Sequence, residues 1–346
     1  MRPPAVDLAA APITVAWELT RACPLRCLHC RAEAIPHRAP EELDTEEGQA
    51  LIDQVADLGT RVLVLTGGDP LARPDLFTLI AHAAGRGLHV GLSPSVTGRL
   101  TTQALRRARD AGASSVHLSL DGASAATHDG LRGVRGSFDR THVAMAAVRD
   151  LGLPLQVGTT VTRQTAADLP RLFEQLHGLA SMWSLFFLVP TGRAQARDLL
   201  DADEHEQVLV WLARSAERTP FGVRTTAAPA YRRVRAQLGL AAPPAASAND
   251  GKGFCFVSHT GEVHPSGFLP LAAGNVRTHS LAACYRDSAL FRALRDPARL
   301  RGKCGACEYR TACGGSRARA YALTGDPLDA DPSCAYQPEA RVPAPA

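Results

Sequence analysis

Cys23, Cys27 and Cys30 stand in the pattern C-x3-C-x2-C, just after an apolar run that ends at Thr20. Three thiols this close cannot all pair as disulfides without leaving an orphan, and a structural zinc ion needs a fourth donor to close its tetrahedron. Three thiolates on a four-iron cluster leave one iron without a protein ligand, and an open metal position is where chemistry can happen. The triplet therefore points to a catalytic cluster, with a structural zinc knuckle as the alternative.

Two further groups could do chemistry. Gly67-Gly68-Asp69-Pro70 follows a short apolar run. Paired glycines let the backbone approach a ligand closely, and their carbonyls can accept from an ammonium group; a plain tight turn is the bland reading. Near the C-terminus, Cys304-x2-Cys307-x5-Cys313 is followed by Cys334. Four thiolates suit either a zinc ion or an iron–sulfur cluster. Cys284 fits no motif and reads as a small buried hydrophobe.

Taken in this order, the segments resemble the radical S-adenosylmethionine (SAM) superfamily. The resemblance implies that Cys23, Cys27 and Cys30 hold a [4Fe-4S] cluster whose open iron is chelated by SAM. Reductive cleavage of SAM would then give a 5′-deoxyadenosyl radical that abstracts a substrate hydrogen. His29 takes the position of a ring that lies near the adenine. Gly67, Gly68, Asp69 and Pro70 match the superfamily's GGEP-type motif for the methionine amino group, with Asp in place of the commoner Glu. Ser119 and Asp121 fall where relatives contact the ribose or the methionine carboxylate, although a strand-end Asp also caps turns. Arg132 resembles an arginine near the SAM carboxylate or the substrate, Ser93 is a further polar candidate, and Thr191-Gly192 would bring backbone near the adenine.

The C-terminal cysteines resemble a SPASM/twitch module, which usually builds two auxiliary clusters. Here Ser266 and Arg317 stand where that pattern has cysteines. Both missing ligands belong to the inner cluster, so the resemblance implies one auxiliary [4Fe-4S] cluster on Cys304, Cys307, Cys313 and Cys334. Cys255 would be a remnant of the lost site or a ligand in a rearranged one. Residues 253–281 and 303–328 resemble the haem-biosynthetic branch, whose members act on propionate side chains of iron-coproporphyrin or of haem d1 precursors.

The elements that must position these residues follow a βα rhythm. Apolar, β-branched runs at 13–20, 61–68, 88–95, 114–122, 153–162 and 183–192 alternate with helical stretches at 74–86, 101–112, 137–151, 168–179 and 203–218. A helix after residue 44 is expected, with Asp44 or Thr45 as N-cap and Leu51, Ile52, Val55 and Leu58 as its buried face. Alternation of this kind makes parallel βα units with reactive residues at the strand C-terminal ends. Six units match the superfamily's partial (β/α)6 TIM-like barrel, an α/β fold. The expected division is 1–218 barrel, 219–252 linker with one short helix around Tyr231 to Leu238, and 253–346 a small iron–sulfur domain with its tail.

Composition bounds the rest. The chain has 346 residues and 45% hydrophobic content, enough for a full core. No apolar run reaches the ~18 residues of a membrane span, and the N-terminus lacks a secretory stretch; a cytoplasmic protein is expected. A net charge of +4 without a basic block does not call for nucleic acid. The substrate is expected to be a small molecule such as an iron-porphyrin, with a ferredoxin or flavodoxin as electron donor. Anionic propionates need guanidinium partners, and Arg193, Arg197, Arg317 and Arg319 are candidates by placement. The rivals are a maturase acting on a ribosomally made peptide, and a non-catalytic iron–sulfur electron carrier. Few residues precede the first strand, so a peptide-recognition domain is expected to be absent. The carrier has no use for the Gly67–Pro70 turn or an open iron.

Overall fold

A computed structural model describes residues 7–241 and 248–338. Its framework is a sheet of ten strands in the order β10-β9-β8-β1-β2-β3-β4-β5-β6-β7. The first six strands are β1 (Thr14–Glu18), β2 (Val62–Thr66), β3 (His89–Leu92), β4 (Ala113–Ser119), β5 (Leu155–Val161) and β6 (Met182–Phe187), all at the expected places. They pair in parallel with their neighbours throughout. Helices α1 (Thr45–Asp57), α2 (Leu76–Gly85), α3 (Thr102–Asp110), α4 (Ala125–Arg132), α5 (Ser137–Asp150), α6 (Leu169–Gln175), α7 (Ala202–Ala216) and α8 (Ala230–Gln237) connect and cover them.

Local chemistry explains the boundaries. Asp44 caps α1 through the Glu47 amide while Glu47 reaches back to the cap, and Asp201 with Glu204 does the same for α7. Such reciprocal boxes satisfy two otherwise orphaned amides at a helix start. Strand side chains alternate faces. Val15, Trp17, Leu63, Leu65, Val90 and Leu92 pack outward into one apolar cluster, and Val116, Leu118, Val157, Trp183 and Leu185 into another. The residues between them, including Glu18, Ser93, His117, Gln156 and Ser184, face the inner side. That side is polar.

Three differences from expectation matter. Residues 219–252, expected as a linker with one short helix, also hold β7 (Gly222–Thr226), a seventh strand parallel to β6; the expected helix is α8. The end of that stretch, from 242 to 247, is outside the described residues. Residues 125–132, for which the sequence reading named no element, form α4, started by the Ser124 side chain on the Thr127 amide. Third, β8 (Phe254–Val257) pairs in parallel with β1, and β9 (Glu262–His264) and β10 (Gly274–Asn275) continue the sheet antiparallel. The C-terminal stretch thus extends the barrel sheet at its first strand, and the sheet stays open.

Candidate active site

The cysteine loop leaves the C-terminal end of β1 and is held from three sides. Below it, the Gly68 and Asp69 amides donate to Thr20 and Ala22 carbonyls at 2.7 Å each. A Cβ on Gly68 would lie 2.6 Å from the carbonyl oxygens of Arg21 and Ala22. The glycine pair is thus used to seat the loop, a close approach between two stretches of backbone. Asp69 is wholly buried; its carboxylate accepts from the Thr97 hydroxyl at 2.7 Å and the Leu71 amide, and Pro70 starts a short turn of 3₁₀ helix. On the β6 side, the Arg193 amide donates to Cys30 O and its Nε to Cys27 O, both at 3.0 Å. Gly192, at φ +60°, leaves room there: a Cβ would lie 2.5 Å from the Cys30 and Arg31 carbonyl oxygens.

On the β4 side, Asp121 is buried and forms an ion pair with Arg132 at 2.5 Å, while its Oδ1 accepts from the Thr160 amide at 2.7 Å. Burial alone would push its carboxyl up, but Arg132 overrides this and holds it at about 2. Arg132 Nη1 in turn donates to Cys27 Sγ at 3.8 Å. His29 neighbours this pair. Burial, reinforced by Arg132 and Arg193 and opposed by Asp121, pushes it down to about 4, so its ring is neutral. Ser119 stands half-buried at the end of β4.

Two serines follow β3. Ser93 bonds His117 Nδ1 at 3.1 Å, on the inner face. Ser95, two residues on, meets Cys23 Sγ at 3.5 Å and donates to Gly68 O at 2.6 Å. Both belong to the same Ser-Pro-Ser stretch, and the sequence reading singled out only Ser93.

The arginines sort by burial. Arg317 and Arg319 are each 1% exposed and committed to protein partners, so the expectation that they face a substrate is corrected. Arg319 grips Asp331 through two bonds of 2.9 and 2.8 Å. Arg197 is exposed. The inner face carries others the sequence did not single out. Arg31 spans from Phe256, 4.6 Å from its ring centroid, to the buried Glu18 at 2.8 Å, and His259 Nδ1 meets the same carboxylate at 3.0 Å. Arg224 on β7 donates to Ser184 Oγ and Gln156 Oε1 at 3.2 and 3.3 Å.

Cys304, Cys307, Cys313 and Cys334 line one cavity with Arg233, Lys303 and Asp331. Amides of Asp331 and Gly315 donate to the sulfurs of Cys304 and Cys313 at 3.4 Å each. Cys255 faces outward from β8 into the apolar core with Cys284, and burial raises its thiol pKa. Among the described residues, no three His, Cys, Asp or Glu side chains converge on a single metal-ion position.

The donor sets suit sulfur clusters and a polar ligand. His29 Nδ1, Arg132 Nε and Arg193 Nη2 are buried beside the cysteine loop without a hydrogen-bond partner among the described residues. Buried donors and acceptors are almost always satisfied, so these atoms fit a ligand rich in carboxylate, amine and hydroxyl groups.

An open parallel α/β sheet with a three-cysteine loop after its first strand is the build of radical SAM enzymes, and the chain belongs to that superfamily. The Radical SAM superfamily profile matches residues 17–176. The family's cofactors are a [4Fe-4S] cluster and SAM. Among its relatives, the AdoMet-dependent heme synthase of Methanosarcina barkeri is 38% identical, over 96% of this chain and 99% of that protein. That of Nitratidesulfovibrio vulgaris is 40% identical, over 95% and 94%. The mycofactocin maturase MftC of Mycobacterium tuberculosis is 31% identical, over 94% and 83%. Streptococcus suis SuiB bound to S-adenosylmethionine shares the fold at a TM-score of 0.72 and 15% identity, over 94% of this chain and 78% of that one. No helix among the described residues is long and apolar enough to cross a membrane.

Proposed function

We propose that the chain oxidatively decarboxylates propionate side chains of an iron-porphyrin. Near full-length likeness to heme synthases carries this reading. The inner face supports it: among the described residues, Arg224 is bonded only to neutral oxygens of Ser184 and Gln156, and Arg193 keeps an unpaired buried Nη2. Guanidinium forks without a protein carboxylate suit substrate carboxylates.

Cys23, Cys27 and Cys30 would hold the catalytic cluster. Gly67–Pro70, Asp121, Arg132, His29 and Gly192 would frame SAM, with Ser93 and Ser119 lining the inner face below. When bound, cluster and SAM supply the radical that takes a hydrogen atom. Removal of a propionate β-hydrogen leaves a carbon radical; loss of carbon dioxide and one electron then gives a vinyl group. Asp121 fixes Arg132 beside Cys27, and Arg224 and Arg193 would orient the carboxylates. Cys304, Cys307, Cys313 and Cys334 would hold one auxiliary [4Fe-4S] cluster that accepts the electron. Four thiols lining one cavity suit a four-iron cluster, with a structural zinc ion as the alternative. A ferredoxin or flavodoxin in the cytoplasm would be the reductant.

The test is 5′-deoxyadenosine formation by anaerobically reconstituted protein, with and without iron-coproporphyrin III. Stimulation with matching release of carbon dioxide is expected. Cleavage indifferent to porphyrin would move the substrate to a peptide, the reading that likeness to MftC favours. No cleavage by protein with a reducible cluster would leave only the carrier.

A further inference from the structure

Arg317 occupies a position where the two-cluster module has a cysteine, and its surroundings are unusual. It is 1% exposed. Its Nη1 donates to the Pro327 and Asp329 carbonyls at 2.9 and 2.7 Å, and its Nε to Gly315 O at 3.2 Å. Its Nη2 donates to Cys304 Sγ at 3.7 Å. The adjacent acid, Asp331, is taken by Arg319. Arg317 is thus a buried cation bonded to carbonyl oxygens and one sulfur. A buried charge needs a counter-charge, and the Cys304 sulfur is the only partner of those four that can carry one, as thiolate.

The backbone leaves space for this contact. Gly315 lies at φ +65°, and a Cβ there would stand 2.5 Å from Arg317 Nη2 and 2.9 Å from Cys304 Sγ. A side chain at 315 would part the guanidinium from the sulfur.

We propose that Arg317 is a positioning residue that raises the reduction potential of the auxiliary cluster, fitting it to accept the electron released on decarboxylation. The inference rests on the auxiliary cluster of the proposed function. Reduction adds a negative charge to the cluster, and a fixed cation hydrogen-bonded to a ligand sulfur stabilises that state more than the oxidised one.

The experiment uses full-length protein with Cys23, Cys27 and Cys30 changed to alanine, so that only the auxiliary cluster remains, and follows its reduction by redox titration with electron paramagnetic resonance. Against that parent, Arg317→Gln and Arg317→Met are expected to lower the reduced-to-oxidised ratio at a fixed potential roughly tenfold, about 59 mV for one electron. Arg317→Lys, which keeps the charge, is expected to stay closer to the parent. Equal potentials in the parent and Arg317→Gln, at equal iron content, would overturn the proposal. Loss of iron from all three variants would also overturn it, by assigning the guanidinium to cluster assembly. A parent that binds no iron would instead refute the auxiliary cluster itself.

Discussion

Replacing Asp121 with Asn tests whether the Asp121–Arg132 pair is the post that holds the cysteine loop to β4. The substitution keeps shape and the bond from the Thr160 amide but strips the charge facing Arg132 at 2.5 Å. Two estimates bound its cost. A carboxyl held at about 2 against an ordinary 3.8 gives on the order of 2 kcal/mol at neutral pH. Stranding a buried partner costs about 3 to 5 kcal/mol. Asp121→Asn should therefore destabilise the metal-free protein by about 2 to 5 kcal/mol, read by urea unfolding through the buried Trp17 and Trp183. Arg132→Met should cost a similar amount, and the double variant no more than either single, because it leaves no charge stranded. Single costs that simply add in the double variant would refute the coupling. The wild-type contribution of Asp121 is present above its unfolded value near 3.8 and lost as pH falls towards 2.

Gly68→Ala should leave the sheet folded yet displace the cysteine loop, because its Cβ meets two carbonyl oxygens at 2.6 Å; reconstituted iron should drop to the auxiliary complement, and wild-type iron with wild-type SAM binding would contradict this. Burial holds His117 and His128 at about 4 and His205 at about 3. Unfolding lets each take up a proton below about 6.5, so stability should fall with pH from there towards 4, at up to about 1.4 kcal/mol per pH unit for each histidine. A melting temperature that is flat over that window would refute their burial in neutral form. Arg224→Gln should weaken iron-coproporphyrin III binding about tenfold or more while sparing SAM affinity, judged by porphyrin absorbance titration; unchanged porphyrin affinity would remove Arg224 from the substrate site.

Locally encoded features were readable. The capped start of α1 and the six apolar strands announce themselves through short-range periodicity and turn residues. β7 was hidden because Gly-Val-Arg-Thr-Thr is short, polar and at the sheet edge, with an arginine where an apolar alternation would be sought. The pairing of β8 with β1 joins residues 240 apart in the chain, Thr14 and Phe254 among them, and no local pattern reports it. For the site, cysteine spacing marked both candidate metal-binding stretches. The contact of Ser95 with Cys23 was not read from the sequence, because it depends on how the chain turns after β3. Arg317 and Arg319 misled for a physical reason: arginine is usually a surface residue, and here a ring of carbonyls and one aspartate draws two of them inside.

The pairing of β1 with β8 also sets the order in which the molecule can be completed during synthesis. The strand that leads into the cysteine loop emerges first, yet one of its two edges stays unpaired until residue 257 has been made. Until then that edge is an open template for mispairing. A chain cut after residue 241 would carry the whole cysteine loop but expose β1 to its neighbours, so the barrel is no detachable catalytic fragment. The late C-terminal strands therefore act as the closing stitch of the fold.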